Sequence, residues 1–199
     1  MRIAIIKYNA GNIRSVSNAM QRLGAEAEIT DDFDTIRSAD KVIFPVVGEA
    51  STTMAHLRAT GMDRLIVSLR QPVLGVCLGM QLMCRHSDEG DADCLGIFDV
   101  PVRQFALPAP NPDNLKVPQM GWNTLTDTRS ALFDASIEGQ YVYFVHGFYV
   151  PLCADTIATT DYILPYSSAL HRDNFYATQF HPEKSGAVGE RILRNFIEL

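Results

Sequence analysis

Cysteine is scarce in this chain. The four that occur, Cys77, Cys84, Cys94 and Cys153, are too few and too unevenly spaced for a disulfide framework over 199 residues. Reduced thiols in a cytoplasmic protein are the simpler expectation. No closely spaced cysteine pair exists either, so a zinc site built from Cys77, Cys84, His86 and Cys94 fails on spacing, and no metal is expected. Basic residues are in deficit: the formal net charge of −6 speaks against nucleic acid or an anionic membrane as partner, since both reward Lys and Arg. No apolar run approaches the ~18 residues of a membrane span. The N-terminal run over residues 1–7 is too short and too interrupted by charge for a signal peptide. Low-complexity segments and internal repeats are also missing. One Pro-rich loop, 106–114, is too short to separate two domains.

What is present is the composition of a globular protein. Hydrophobic residues at 47% against 20% charged suit a single domain over 1–199 that buries roughly 70% of its unfolded surface. In the first half, short apolar runs alternate with helical spacing. Strands are expected over 2–6, 25–29, 41–44 (stopped by Pro45) and 73–76. A helix follows Gly11-Asn12, with Ile13, Val16, Met20 and Leu23 on one face and Gly24 at its end. Another starts at Ser51 as N-cap and runs through Leu57, and a third covers 62–69. Such alternation predicts an α/β fold: a central mixed, mostly parallel sheet with helices on both faces. The second half reads as antiparallel additions, with strands over 102–105, 141–145, 149–150, 156–160, 167–170 and 175–180. An amphipathic helix over 186–199 closes the chain. Ligands of such sheets bind at the carboxyl ends of the strands, where residues 8–12, 45–51 and Cys77 would lie.

The chemistry concentrates at two places. Gly75-Val76-Cys77-Leu78-Gly79 has the form G-x-C-x-G between a predicted strand and a predicted helix, the cysteine version of a nucleophile elbow. Its sharp turn brings the flanking backbone together, so glycine is needed two residues either side of the cysteine. The N-terminal N–H groups of the helix then favour thiolate, and the Leu78 N–H becomes the natural first oxyanion donor. The other place is His181-Pro182-Glu183. Residues i and i+2 of an extended segment share a side, so Glu183 can hold the His181 ring and support an imidazolium. Cys77 could equally be a small buried hydrophobe, and His181 a turn histidine beside a surface glutamate. Together, as nucleophile and base far apart in sequence, the pair favours catalysis. Of the other histidines, His56 and His86 sit in polar, helix-like stretches, His171 precedes a hairpin turn, and His146 ends an apolar strand as a hydrogen-bonded core group or a pocket wall.

Gly75-Val76-Cys77-Leu78-Gly79-Met80-Gln81, taken with Gln179-Phe180-His181-Pro182-Glu183, resembles the class I (triad) glutamine amidotransferases, whose fold is flavodoxin-like. The segments 8–16, 45–50, Pro118-Gln119-Met120-Gly121-Trp122-Asn123 and Tyr143-Phe144-Val145-His146, with Lys184, make the chain most similar to the glutaminase subunits of imidazole glycerol phosphate synthases. The resemblance implies a cofactor-free hydrolysis of glutamine, in which Cys77 attacks the side-chain amide, His181 shuttles the proton and Glu183 orients His181. It implies oxyanion donors at Leu78 and Val47, and glutamine contacts at Gly48, Gln81 and Glu89. Asn12, Met120, Trp122 and Lys184 match a face that docks on a (β/α)₈ cyclase, which receives the ammonia in a heterodimer serving histidine biosynthesis. Two departures stand out. The family's turn reads P-G-V-G where this chain has Pro45-Val46-Val47-Gly48, and Val145-His146-Gly147-Phe148 lacks the usual hydroxyl.

Three rival readings keep parts of this pattern. A glutaminase could serve a different synthase. A cysteine peptidase or γ-glutamyl hydrolase on the same fold would work at full rate alone. A silent docking module would carry Cys77 as an inert thiol.

Overall fold

A computed structural model of the chain describes residues 1–7 and 13–199. Asn12 and the rest of the 8–12 segment lie outside the described residues. The central sheet has the strand order β11-β12-β13-β4-β3-β1-β2. Its parallel part consists of β1 (Ile3–Ile6), β2 (Ala27–Thr30), β3 (Lys41–Val46), β4 (Val73–Cys77) and β13 (Phe175–Thr178). Beyond β13, β12 (Pro165–Arg172) and β11 (Thr156–Asp161) add on antiparallel. The expected α/β architecture, with its antiparallel extension in the second half, is what the chain forms.

Two cores explain the layering. Ala4, Ile6, Val42, Phe44 and Val73 pack with Ile36 of α2 (Phe33–Ser38), Met54 and Leu57 of α3 (Ala50–Thr60) and Leu65 and Ile66 of α4 (Met62–Ser68). Their sheet neighbours Ile3, Ile5, Ile43 and Leu74 point the other way, onto Val16 and Met20 of α1 (Ile13–Arg22) and Ile192, Leu193 and Phe196 of α6 (Gly186–Glu198). A parallel strand covered on both faces must be apolar at every position. That is why β1, β3 and β4 read as continuous hydrophobic runs.

Several expectations about element limits fail for identifiable reasons. Pro45 does not stop β3, which continues to Val46 and pairs Pro45 with Val76 and Val46 with Cys77. The β1 pairing with β3 covers only residues 41–43, so the missing N–H of Pro45 breaks no ladder on that side. Ser51 is not the N-cap of α3. Glu49 is: its carboxylate accepts from the Ser51 and Thr52 amides, and these bonds hold its pKa down to about 2, the Thr52 amide foremost.

His86 is not helical. The helix after Cys77, α5 (Leu78–Met83), stops after six residues and the chain turns directly into β5 (Cys84–Ser87). That strand joins β6 (Ala92–Asp93) and β7 (Phe98–Gln104), with β10 (Phe148–Tyr149) beyond, in a second sheet. Pairing with strands further along the chain fixes this segment as strand, and helical periodicity does not register those partners. A two-stranded ribbon of β8 (Gln119–Thr124) and β9 (Tyr141–His146) completes the described sheets.

Candidate active site

Three neighbouring strands deliver the site. The carboxyl end of β3 leads into Val47 and Gly48, that of β4 ends on Cys77, and that of β13 leads through Gln179 to His181. A cavity of about 360 Å³ lies over these ends, and Val47, Gly48, Cys77, Leu78, Gln81, Glu89, His181 and Lys184 all line it. A larger cleft of about 650 Å³, lined by Arg2, Ile3, Gln21, Ala27 and Glu28, sits at the opposite, amino ends of β1 and β2. Among the described residues, neither cysteine nor histidine lines that cleft. The smaller cavity is at the end where open α/β sheets bind ligands.

The elbow expected from G-x-C-x-G is present. Cys77 has φ 55° and ψ −110°, a conformation an L-residue adopts only when its surroundings impose it. A Cβ on Gly75 would come within 2.9 Å of Met83 Sδ and 3.0 Å of the Gly79 carbonyl. One on Gly79 would run into the carbonyl oxygen of Phe44. Both glycines are therefore needed to seat α5 against β3 and β4, and the strained cysteine is the outcome.

His181 is held from three directions. Its N–H donates to the Tyr143 carbonyl at 2.9 Å. Its own carbonyl accepts from the Ser185 hydroxyl at 2.7 Å. Its Nδ1 lies 2.8 Å from Glu183 Oε1, both side chains being nearly inaccessible. A carboxylate only accepts, so Nδ1 carries the hydrogen and Nε2 is left for the sulfur. Burial by itself pushes the ring toward neutrality, but the hydrogen bond to Cys77 and then the one to Glu183 outweigh it and raise the pKa to about 10. A buried imidazolium beside sulfur is the environment that activates a cysteine. Of the other cysteines, burial pushes Cys94 up to about 12 and Cys84 well above the ordinary thiol range.

Of the remaining expected residues, Gly48, Gln81, Glu89 and Lys184 line the cavity, whereas Met120 and Trp122 do not. Gln81 is buried on α5, with Nε2 3.2 Å from the Phe148 carbonyl. Glu89 accepts from the Ala50 amide at 2.9 Å. Burial raises its pKa despite that bond. Gly48 has φ +130°, a value that needs glycine. Met120 and Trp122 are 67% and 55% exposed, on the outer side of the β8–β9 ribbon, with Trp122 edge-on to Tyr143 at 5.8 Å. The exposed Lys184 follows Glu183 in the turn Pro182–Lys184. His56, His86 and His171 do not line the cavity: His86 faces Asp91 and Asp93, and His171 stacks on Tyr176.

His146 is both of the things it could have been. It lines the cavity and is buried, its Nδ1 2.6 Å from the Phe148 carbonyl and its Nε2 3.1 Å from Gln119 Oε1. Burial lowers its pKa to about 4, so the ring is neutral near pH 7. Two neighbours of the sulfur stand in the motifs without an assigned role. The Val145 carbonyl lies 3.7 Å and Gln179 Nε2 3.8 Å from Cys77 Sγ. Gln179 could have been found by the i, i+2 rule that links His181 to Glu183, because it stands two residues before His181 on the same extended segment.

Residues 4–199 match the family model of the class-I glutamine amidotransferases. The chain is 65% identical to the imidazole glycerol phosphate synthase subunit HisH of Bacteroides thetaiotaomicron over the full length of both, and 42% identical to that of Yersinia pseudotuberculosis, again over the full length of both. Among solved structures, a glutamine amidotransferase from Thermotoga maritima superposes with a TM-score of 0.63 at 15% identity, covering 100% of this chain and 81% of the other. That likeness speaks to the fold alone. The chain belongs to the class-I glutamine amidotransferase family, in the branch of the imidazole glycerol phosphate synthase HisH subunits.

Proposed function

We propose that this chain, as one amidotransferase domain over 1–199, hydrolyses glutamine to glutamate and ammonia and hands the ammonia to a (β/α)₈ cyclase that makes imidazole glycerol phosphate. The observation that supports the reading is that Cys77 and a His181 hydrogen-bonded to Glu183 line one cavity at the ends of two adjacent parallel strands. Cys77 Sγ attacks the side-chain amide carbon, forming a C–S bond and an oxyanion. The Leu78 and Val47 amides receive that oxygen. His181 gives its proton to the departing nitrogen, the C–N bond breaks, and a γ-glutamyl thioester remains. Water, deprotonated by His181, then attacks the thioester and releases glutamate. Gly48, Gln81 and Glu89 hold the substrate. The chemistry needs a thiolate, an imidazole and water.

The partner surface is the exposed side of the β8–β9 ribbon with Met120 and Trp122, together with Lys184; Asn12, the fourth residue of that face in the family, lies outside the described residues. Large apolar side chains standing in solvent next to a reaction cavity are a reason to expect a docked protein there. Released ammonia would become ammonium in neutral water, so a sealed route to the acceptor has a chemical purpose. Free thiols and the lack, among the described residues, of a helix able to cross a membrane support a cytoplasmic setting.

The test is ammonia release from glutamine by the purified chain, with and without the cyclase and its acceptor nucleotide. Activation on the order of 100-fold is expected, a coupling of typical size. Full turnover by the chain alone would favour a free-standing hydrolase on this fold.

Val46 gives a second prediction. It is buried, extended and paired with Cys77, where the family's turn carries glycine. If the oxyanion peptide must reorient during the reaction, a β-branched residue restricts it. Val46→Gly is expected to raise kcat in the assembled complex while costing about 2 kcal/mol, or roughly 4–8 °C of Tm. An unchanged or lower single-turnover rate counts against the restriction.

A further inference from the structure

A fixed chain of amide groups ends on the nucleophile. It begins at the Phe148 carbonyl, an obligate acceptor. His146 Nδ1 lies 2.6 Å from that oxygen and Gln81 Nε2 lies 3.2 Å from it. Amide nitrogen and oxygen are assigned from such networks rather than seen, and here the carbonyl settles the assignment. The end of Gln81 facing Phe148 must be its NH₂ group, because the reverse would set oxygen against oxygen. The same NH₂ lies 2.9 Å from the Gln179 side chain, so Gln179 must present its oxygen to Gln81. Its own NH₂ then points toward Cys77 Sγ, at 3.8 Å. Gln179 is fully buried and Gln81 nearly so, so bulk water does not compete for these bonds.

We infer that Gln179 is a positioning residue for the nucleophile: polarised through Gln81 by the Phe148 carbonyl, it donates an N–H to the Cys77 sulfur and favours its thiolate. The inference rests on Cys77 being the nucleophile. Around the sulfur, the Val145 carbonyl at 3.7 Å can only accept and so serves the protonated thiol, whereas the Gln179 amide nitrogen can only donate and so serves the anion. One segment supplies both side-chain donors to the sulfur, since Gln179 and His181 are two residues apart after β13. Gln81 uses both of its N–H bonds inside the protein, on Phe148 and Gln179.

The test is iodoacetamide alkylation of Cys77 in the full chain, located by peptide mass so that Cys84, Cys94 and Cys153 are kept separate. Wild type is compared with Gln179→Met, which removes the donor at similar size, and with Gln179→Glu, which keeps the shape and the Gln81 contact but turns an acceptor toward the sulfur. A hydrogen bond to a buried charge is worth a factor of about ten or more, and the long contact places this one at the low end. At neutral pH both variants are expected to alkylate about tenfold more slowly, with the gap closing above the ordinary thiol range. A purely structural glutamine would not move that pH profile. Wild-type rates in variants that melt like wild type would overturn the inference, as would a change confined to KM for glutamine. Loss of cooperative melting in both variants would also overturn it, by making Gln179 a packing element. An inert wild-type Cys77 at neutral pH would instead bring down the reading of the site on which the inference rests.

Discussion

Cys77→Ala is expected to reduce ammonia release by at least about 10⁴-fold, with cyclase binding unchanged. Removing the nucleophile of a catalytic triad eliminates the covalent path, and the loss is about as large as removing the whole triad. Alanine keeps the Cβ and leaves Gly75 and Gly79 in place, so the elbow packs as before. Cys77→Ser sharpens the test. Its hydroxyl is a far poorer nucleophile than a thiolate and has no low-energy anion for the His181 imidazolium to pair with, so it should be nearly as inactive despite its similar shape. The assay is glutamate formation in the complex, with Tm and partner affinity measured in parallel. Retention of more than a few per cent of wild-type turnover by Cys77→Ala would remove the sulfur from the mechanism.

Glu183→Gln is expected to lower kcat by about 10²–10⁴-fold, with a smaller effect on KM. The change is isosteric and buried, so packing is conserved while the charge opposite Nδ1 disappears. An amide can turn its nitrogen to the ring and stabilise the wrong tautomer, leaving Nε2 protonated and unable to accept from sulfur. The pH dependence carries the sign of the effect. His181 is raised to about 10, against burial, by Cys77 and Glu183, and the protonated ring is the form that gives ammonia its proton. Wild-type activity should therefore persist on the alkaline side until the pH nears 10. Removing Glu183 deletes one of the groups that raise the ring, so the alkaline limb must move to lower pH. A limb that stays in place would mean that Glu183 only fills space.

Both variants belong to motifs visible in the chain, and the reason is geometric. G-x-C-x-G records a backbone approach so close that a single extra carbon collides with Phe44 or Met83, and only glycine satisfies it. H-P-E records an i, i+2 relation that any extended segment enforces. The same local rule extends backward to Gln179, which stood in view without a role. Nothing in the linear sequence says that the other end of that glutamine faces Gln81, 98 positions away. The limits of several elements were misread for separate reasons. Pro45 continues its strand because the neighbouring pairing has already ended, and Glu49 displaces Ser51 as cap because a longer side chain reaches two amides. The helix after Cys77 yields to a strand at Cys84 because β6 and β7 are there to pair with it.

By itself, then, the sequence determined the alternation of strand and helix, the elbow at Cys77 and the carboxylate behind His181. Each follows from sterics or periodicity within a few residues. The tertiary structure alone decided that β4 and β13 lie side by side, which brings a sulfur and an imidazole from distant parts of the chain to one cavity. It also decided that the Phe148 carbonyl orients two buried amides toward that sulfur. Hydrogen-bond direction between distant groups depends on which acceptor the fold places at the far end, and no local pattern encodes that.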